Sequence, residues 1–348
     1  LGTCSRKERR GQRRQKILSR VAESIYWMSR YAERAGNTAR LINVNLGLAI
    51  DTHDSVEQEW DPIVRVTGDM ALFRSLYDST TRENVVNFMV LDRNNPNSII
   101  SCVNRARENA SSVREIISSE MWLLINRFYH RLNSEEAKEK LLDNPGKFCE
   151  VAKVQSLLFH GSGYISISHG EAWHFSELGK QMERADNTSR ILDVKYYTLL
   201  PDAELVGTSI DNMQWIALLK STSALETYKA KHQQISISNV LDFLILDNQF
   251  PRSIIYCVAR ADESLHCISN SPAGSYNNET EKEMGRLLSD LRFISVEEII
   301  QRGMHQYLKS FQSHINEIGS CIYDDYFSYS VKDSALRGFD DIQQEEKR

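Results

Sequence analysis

The chain has 348 residues, 41% of them apolar and 26% charged, with a formal charge of −5. That mild acidity leaves no general electrostatic footprint for nucleic acid, and no run of about 18 apolar residues is present to span a membrane. Gly (16) and Pro (6) are scarce, which points to long regular elements with few tight turns.

Residues 1–16, LGTCSRKERRGQRRQK, carry seven Lys or Arg against one Glu. They have no apolar periodicity and are expected to be a disordered leader, with a basic binding arm as the alternative. No apolar segment follows to make them a secretory signal. The six cysteines (Cys4, Cys102, Cys149, Cys257, Cys267, Cys321) show no CxxC pair and no compact framework. Reduced, mostly buried thiols and a cytoplasmic setting are the expectation.

From Ile17 to Ile50 apolar residues fall at Ile17, Val21, Ile25, Met28, Ala32, Ala35, Ala39, Ile42 and Leu46. Those steps of three and four describe one helical face. Further helices are expected over 60–77, 82–91, 98–132, 134–159, 168–200 (stopped by Pro201), 211–231, 240–246 and 295–327. The best strand alternation, YISIS at 164–168, is too short and isolated to define a sheet. The expected class is all-α, and the charged tail 329–348 is expected to be disordered.

Two stretches recur. YAERAGNTAR (31–40) returns as QMERADNTSR (181–190), and FMVLDRNNPNSIISCVNRARE (88–108) returns as FLILDNQFPRSIIYCVARADE (243–263) with 12 of 21 positions identical. Each half therefore has a long helix bearing Glu-Arg, a helix near Trp60 or Trp215, a short helix, a Pro-bearing junction and another long helix. We read the chain as an internally duplicated helical bundle of two pseudo-symmetric halves, 17–160 and 161–328, parted by a glycine-bearing break at HGSGYIS.

On a helix Glu33, Asn37 and Arg40 form one polar stripe, with Arg34 and Thr38 beside it. Glu183, Asn187 and Arg190, with Arg184 and Thr188, reproduce both. Buried charges must be paired and hydrogen-bonded. One reading is a structural network between two central helices, which would put Glu33 and Glu183 on neighbouring elements. Another is a surface of guanidiniums that grips a carboxylate or phosphate. A third is an enzyme whose glutamates do acid-base or metal chemistry.

Metal ligation has candidates in two ExxH spacings, Glu171 to His174 and Glu263 to His266. Two such spacings are close to chance at this Glu content, and the corresponding first-half positions are Val21 with Ser24 and Glu108 with Ser111. No metal or other cofactor is expected. No P-loop, GxGxxG, HExxH or nucleophile elbow is present. Cys102 and Cys257, flanked by Ile and Val, read as buried packing. Asp92 and Asp247 read as turn formers before Pro96 and Pro251. Arg105 with Glu108, and Arg260 with Glu263, have the spacing of helix-surface pairs.

The stretches ILSRVAESIYWMSRYAERAGNTARLINV, ELGKQMERADNTSRILDV, LDRNNPNSIISCV, SSEMWLLINRFY and LDNQFPRSIIYCVARADE resemble the bacterial alpha-E family over about residues 17–328. The resemblance implies an all-helical domain whose Glu-Arg motif falls on Glu33-Arg34 and Glu183-Arg184. Members of that family accompany ATP-grasp amidoligases of the circularly permuted kind, often with a transglutaminase-like protein nearby. It implies an accessory or substrate-presenting partner of such a ligase in making or processing a peptide or amide-linked product. Any ATP chemistry would then belong to the partner.

Overall fold

A computed structural model describes residues 17–51, 60–199 and 208–328, and these are helical with no strand among them. The leader 1–16, Cys4, Pro201 and the tail 329–348 lie outside the described residues.

The first half begins with α1 (Ser19–Asp51), followed by α2 (Asp61–Thr67), α3 (Met70–Leu76) and α4 (Arg82–Val90). It continues through α5 (Ile99–Ser112), α6 (Ser119–Leu132), α7 (Glu136–Asp143) and α8 (Pro145–Ser166). The second runs through α9 (Glu171–Leu199), α10 (Ser209–Ser221), α11 (Leu225–Lys231) and α12 (Ile237–Leu241). It closes with α13 (Ile254–Ser269), α14 (Glu279–Phe293), α15 (Val296–Arg302) and α16 (Met304–Ile322). Short π-helical turns extend α12 over Asp242–Leu246 and α16 over Tyr323–Phe327.

Several continuous segments expected from periodicity are broken, each by a local signal that periodicity overlooks. Ser118 caps α6 by accepting from Met121 N, so 98–132 is two helices. Pro145 opens α8 beside the Asn144 cap and splits 134–159. Ser223 at φ 54° divides 211–231, and Gly68 (φ 80°) and Gly303 (φ 85°) divide 60–77 and 295–327. Conversely, the break expected at HGSGYIS is absent, because α8 runs through Gly161 and Gly163 to Ser166. YISIS is the end of that helix and its exit, not a strand. The helix α14, amphipathic and capped by Asn278, was not anticipated.

The core is organised round α1 and α9, which pack against each other. Helices α5 and α8 flank α1, with α6 resting on both; α13 and α16 flank α9, with α14 resting on both. The segments after the two central helices cross over, α2 packing on α9 and α10 on α1. Ile25, Met28, Ala32, Ala35, Ala39, Ile42 and Leu46 are buried as the periodicity predicts. The opposite side of α1 is buried too, which is why its polar stripe needs partners inside the protein.

Contact between the central helices is close. A Cβ at Gly179 would lie 2.3 Å from the carbonyl oxygen of Tyr26, so only glycine lets α9 approach α1 here. Ser29 Oγ and Ser176 Oγ hydrogen-bond at 2.7 Å along the same seam.

Candidate functional site

Because α1 and α9 pack side by side, each Glu-Arg pair reaches the other helix. Arg34 donates from Nε to Glu183 Oε1 at 2.6 Å and from Nη2 to Oε2 at 2.8 Å. Arg184 donates from Nε to Glu33 Oε1 at 3.0 Å and from Nη2 to Oε2 at 3.2 Å. Two fork-shaped carboxylate–guanidinium pairs thus cross the seam in opposite directions.

A further guanidinium joins each pair. Arg30, one turn before Arg34, donates to Glu183 Oε2 at 3.0 Å. Arg252, from the junction before α13, approaches Glu33 Oε1 at 2.9 Å. His160 of α8 places Nε2 3.1 Å from Glu33 Oε2, too poorly aligned for a good hydrogen bond. Outward from Arg34, Nη1 donates to Asn97 Oδ1 at 2.8 Å, and Asn97 Nδ2 donates to both oxygens of Asp69 at 3.0 Å.

These surroundings fix the charge states. Burial alone would raise the Glu183 carboxyl, but Arg34 and Arg30 outweigh it and hold it at about 2. Burial opposes ionisation of Glu33 as well, and Arg184 and Arg252 carry it well below the usual carboxylate range. Burial lowers the His160 imidazole against the pull of Glu33, which favours its neutral form. Neither glutamate is free to take up a proton near neutral pH.

The other expected residues divide between the two halves. Asn37 is buried, and its Oδ1 accepts from Arg40 Nη1 and Arg252 Nη1, both at 2.9 Å. Arg190, by contrast, pairs with Asp186 at 2.8 Å, and Asn187 is half-buried outside both networks. Thr188 Oγ1 donates to the Arg252 carbonyl at 3.0 Å.

The ExxH candidates do not converge with the central glutamates. Glu171 accepts from the backbone of Ile17 at 3.2 Å, Glu263 pairs with Arg260 at 2.5 Å, and His266 Nδ1 meets Ser271 Oγ at 2.7 Å. His174 packs edge-on to Trp173. Among the described residues no group of three or more His, Cys, Asp or Glu side chains could hold a metal ion. Arg105 stacks over Tyr31, and does not join the Glu-Arg network. Cys102 and Cys257 are fully buried, and burial pushes both thiols up to about 12. Cys267, however, is exposed. Asp92 and Asp247 accept from the backbones of Asn94 and of Gln249 and Phe250, forming their turns.

Sequence reasoning overlooked Arg30, Asn97, Asp69, His160, Asp186 and Arg252. Arg30 had a signal, one helical turn before Arg34. Arg252 had none, since Asn97 occupies its place in the other repeated stretch.

No helix of the described residues is long and apolar enough to cross a membrane. The Alpha-E family model, described as a predicted alpha-helical domain with a conserved ER motif, matches residues 17–327. An uncharacterized protein of Mycobacterium tuberculosis, Rv2567, is 24% identical over 322 residues, covering 85% of this chain and 35% of that protein. The uncharacterized protein Mb2597 of Mycobacterium bovis matches to the same extent. The chain thus spans about a third of the length of these curated relatives. No solved structure matches it.

Proposed function

The chain belongs to the Alpha-E family, and from that premise we propose that it is a non-catalytic accessory partner of an ATP-grasp amidoligase. It scaffolds the ligase or presents a peptide or carboxylate substrate to it, in the synthesis or processing of a peptide or amide-linked product. The partner class comes from the family resemblance. The non-catalytic role rests on one observation, the saturation of the buried Glu33 and Glu183 by the guanidiniums of Arg30, Arg34, Arg184 and Arg252.

A carboxylate held well below its ordinary range by two arginines is a poor general base at neutral pH. Acid-base or metal chemistry at the glutamate pair would require taking these carboxylates from their partners. The Glu-Arg motif then serves as the clamp between α1 and α9, and recognition falls to the outer helices. Helix α8 carries exposed Val154, Leu157, Leu158 and Ile165 at helical spacing, an apolar stripe suited to docking on another protein. The matched region occupies only part of the longer mycobacterial relatives, which fits a module working beside others.

The same reading includes an internal duplication with an approximate twofold between α1 and α9. Its support is the recurrence of the two stretches and the reciprocity of the pairs Arg34–Glu183 and Arg184–Glu33.

Affinity purification of the tagged protein from its host, at native expression and low salt, tests the partner. Stoichiometric recovery of an ATP-grasp protein by mass spectrometry is expected. Recovery of the protein alone would count against a stable assembly.

A further inference from the structure

Arg40 stands apart from the other arginines of the central network. Arg30, Arg34, Arg184, Arg190 and Arg252 each have a carboxylate within 4.0 Å; among the described residues Arg40 has none. The residue is 5% exposed; its Nη1 donates to Asn37, and its Nε has no hydrogen-bond partner among the described residues. Asn37 is likewise incomplete. Its Oδ1 accepts from two guanidiniums, which fixes the amide orientation and leaves Nδ2 a buried donor without an acceptor.

The charge is also out of balance. Near Glu33, the guanidiniums of Arg184, Arg252 and Arg40 gather round that carboxylate, and the other acid that attracts Arg184, Glu177, is paired with Lys180 at 2.5 Å. Near Glu183, the guanidiniums of Arg30 and Arg34 face that carboxylate and, through Asn97, Asp69. Arg190, which takes the place of Arg40 in the repeated stretch, is neutralised by Asp186. The residue matching Asp186 is Gly36, and a Cβ there would lie 2.5 Å from Ser156 Oγ, so α8 leaves no room for an internal acid. Glu150 attracts Arg40 from farther away but is paired with Lys153 at 2.6 Å.

An uncompensated buried guanidinium is costly, and arginine does not escape by losing its proton in the neutral range. Burial and repulsion from Arg252 bring Arg40 down to about 9, still protonated at pH 7. Two orphan donors beside surplus positive charge call for an acceptor that is itself negative. The bond from Arg40 Nη1 to Asn37 Oδ1, 2.9 Å long, makes the residues that carry the two donors neighbours.

We propose that Arg40, Asn37 and Arg252 form a binding site for one small oxyanion, a carboxylate or a phosphate, which accepts from Arg40 Nε and Asn37 Nδ2. The site stands independently of the accessory role. As a free molecule or as the end group of a larger one, the ligand presents the same chemistry: a planar or tetrahedral anion that guanidiniums hold by charge-assisted hydrogen bonds.

Equilibrium dialysis of the full chain against labelled phosphate and, separately, labelled acetate tests this. Thermal unfolding in each anion would be followed at constant ionic strength, with chloride as the reference. Saturable binding of about one equivalent and a raised Tm are expected, phosphate or acetate alone assigning the class. Asn37→Asp places a carboxylate against both arginines, so it should abolish binding and raise the Tm measured in chloride. Arg40→Gln should weaken binding by roughly tenfold or more, and decides the matter if Asn37→Asp fails to fold. No saturable binding of either anion, a chloride response equal to both, or wild-type binding by the folded variants would overturn the site.

Discussion

Arg34 and Glu183, on different helices and 149 positions apart, meet through two hydrogen bonds of 2.6 and 2.8 Å. Their neighbours Glu33 and Arg184 meet the same way in reverse. A charged dipeptide that would sit idle on a solvated helix becomes, when two copies face each other, a reciprocal clamp. Burial makes the clamp specific, because a side chain lost from either pair strands a charge.

Arg34→Ala should destabilise the protein by roughly 3–5 kcal/mol, since it leaves Glu183 with Arg30 alone. Arg34→Lys should recover only part of that, because lysine lacks the planar fork. Urea denaturation of wild type, both single variants and Arg34→Ala with Glu183→Ala measures it. Additive costs in the double variant would show that the pair has no coupling.

Acid should unfold the protein through the same carboxylates. The Glu183 carboxyl lies below its ordinary value of 4.5, at about 2, when folded. A folded-state pKa depressed in this way contributes stability that is complete above pH 4.5 and is lost as pH falls toward 2. The contribution of this group is about 3 kcal/mol, to be read from urea midpoints between pH 7 and pH 2.5. Glu183→Gln should flatten that slope while lowering stability at pH 7.

Two glycines in long helices should respond oppositely to alanine. Gly179→Ala drives a Cβ against the Tyr26 carbonyl and should cost about 1–3 kcal/mol or prevent folding. Gly161 lies inside α8 with nothing within 4 Å of an added Cβ, so Gly161→Ala should stabilise by about 0.5–1 kcal/mol. Equal shifts in the two denaturation curves would contradict this packing.

Thiol labelling should follow burial. Cys267 is exposed, whereas Cys102 and Cys257 are enclosed with their thiols pushed up to about 12. Iodoacetamide at pH 8 should modify Cys267 before Cys102 and Cys257, and the latter two only after denaturant is added, as peptide mapping would read.

If the apolar stripe of α8 docks the partner, Leu157→Glu and Ile165→Glu should leave the thermal transition almost unchanged, because both side chains are exposed. The same variants should lose recovery of the ATP-grasp protein. Undiminished recovery would place the docking surface elsewhere.

Periodicity and punctuation in the sequence determined the helical class and the two long central helices. The buried positions of α1 follow its steps of three and four because one face must leave water. Charged residues repeated in register on two such helices made mutual pairing one reading, beside a surface that grips an anion and an enzyme site. Helix ends were less legible where a single serine cap or proline outweighs a continuing apolar pattern, as at Ser118 and Pro145. Tertiary structure alone decided which arginine meets which glutamate, because crossed and same-helix pairings have the same local sequence. It alone brought Arg252 and His160 to Glu33 and left Arg40 without a carboxylate among the described residues. Those outcomes depend on how closely α8 and the α13 junction approach α1, a distance set by the packing of remote side chains and carried by no local pattern.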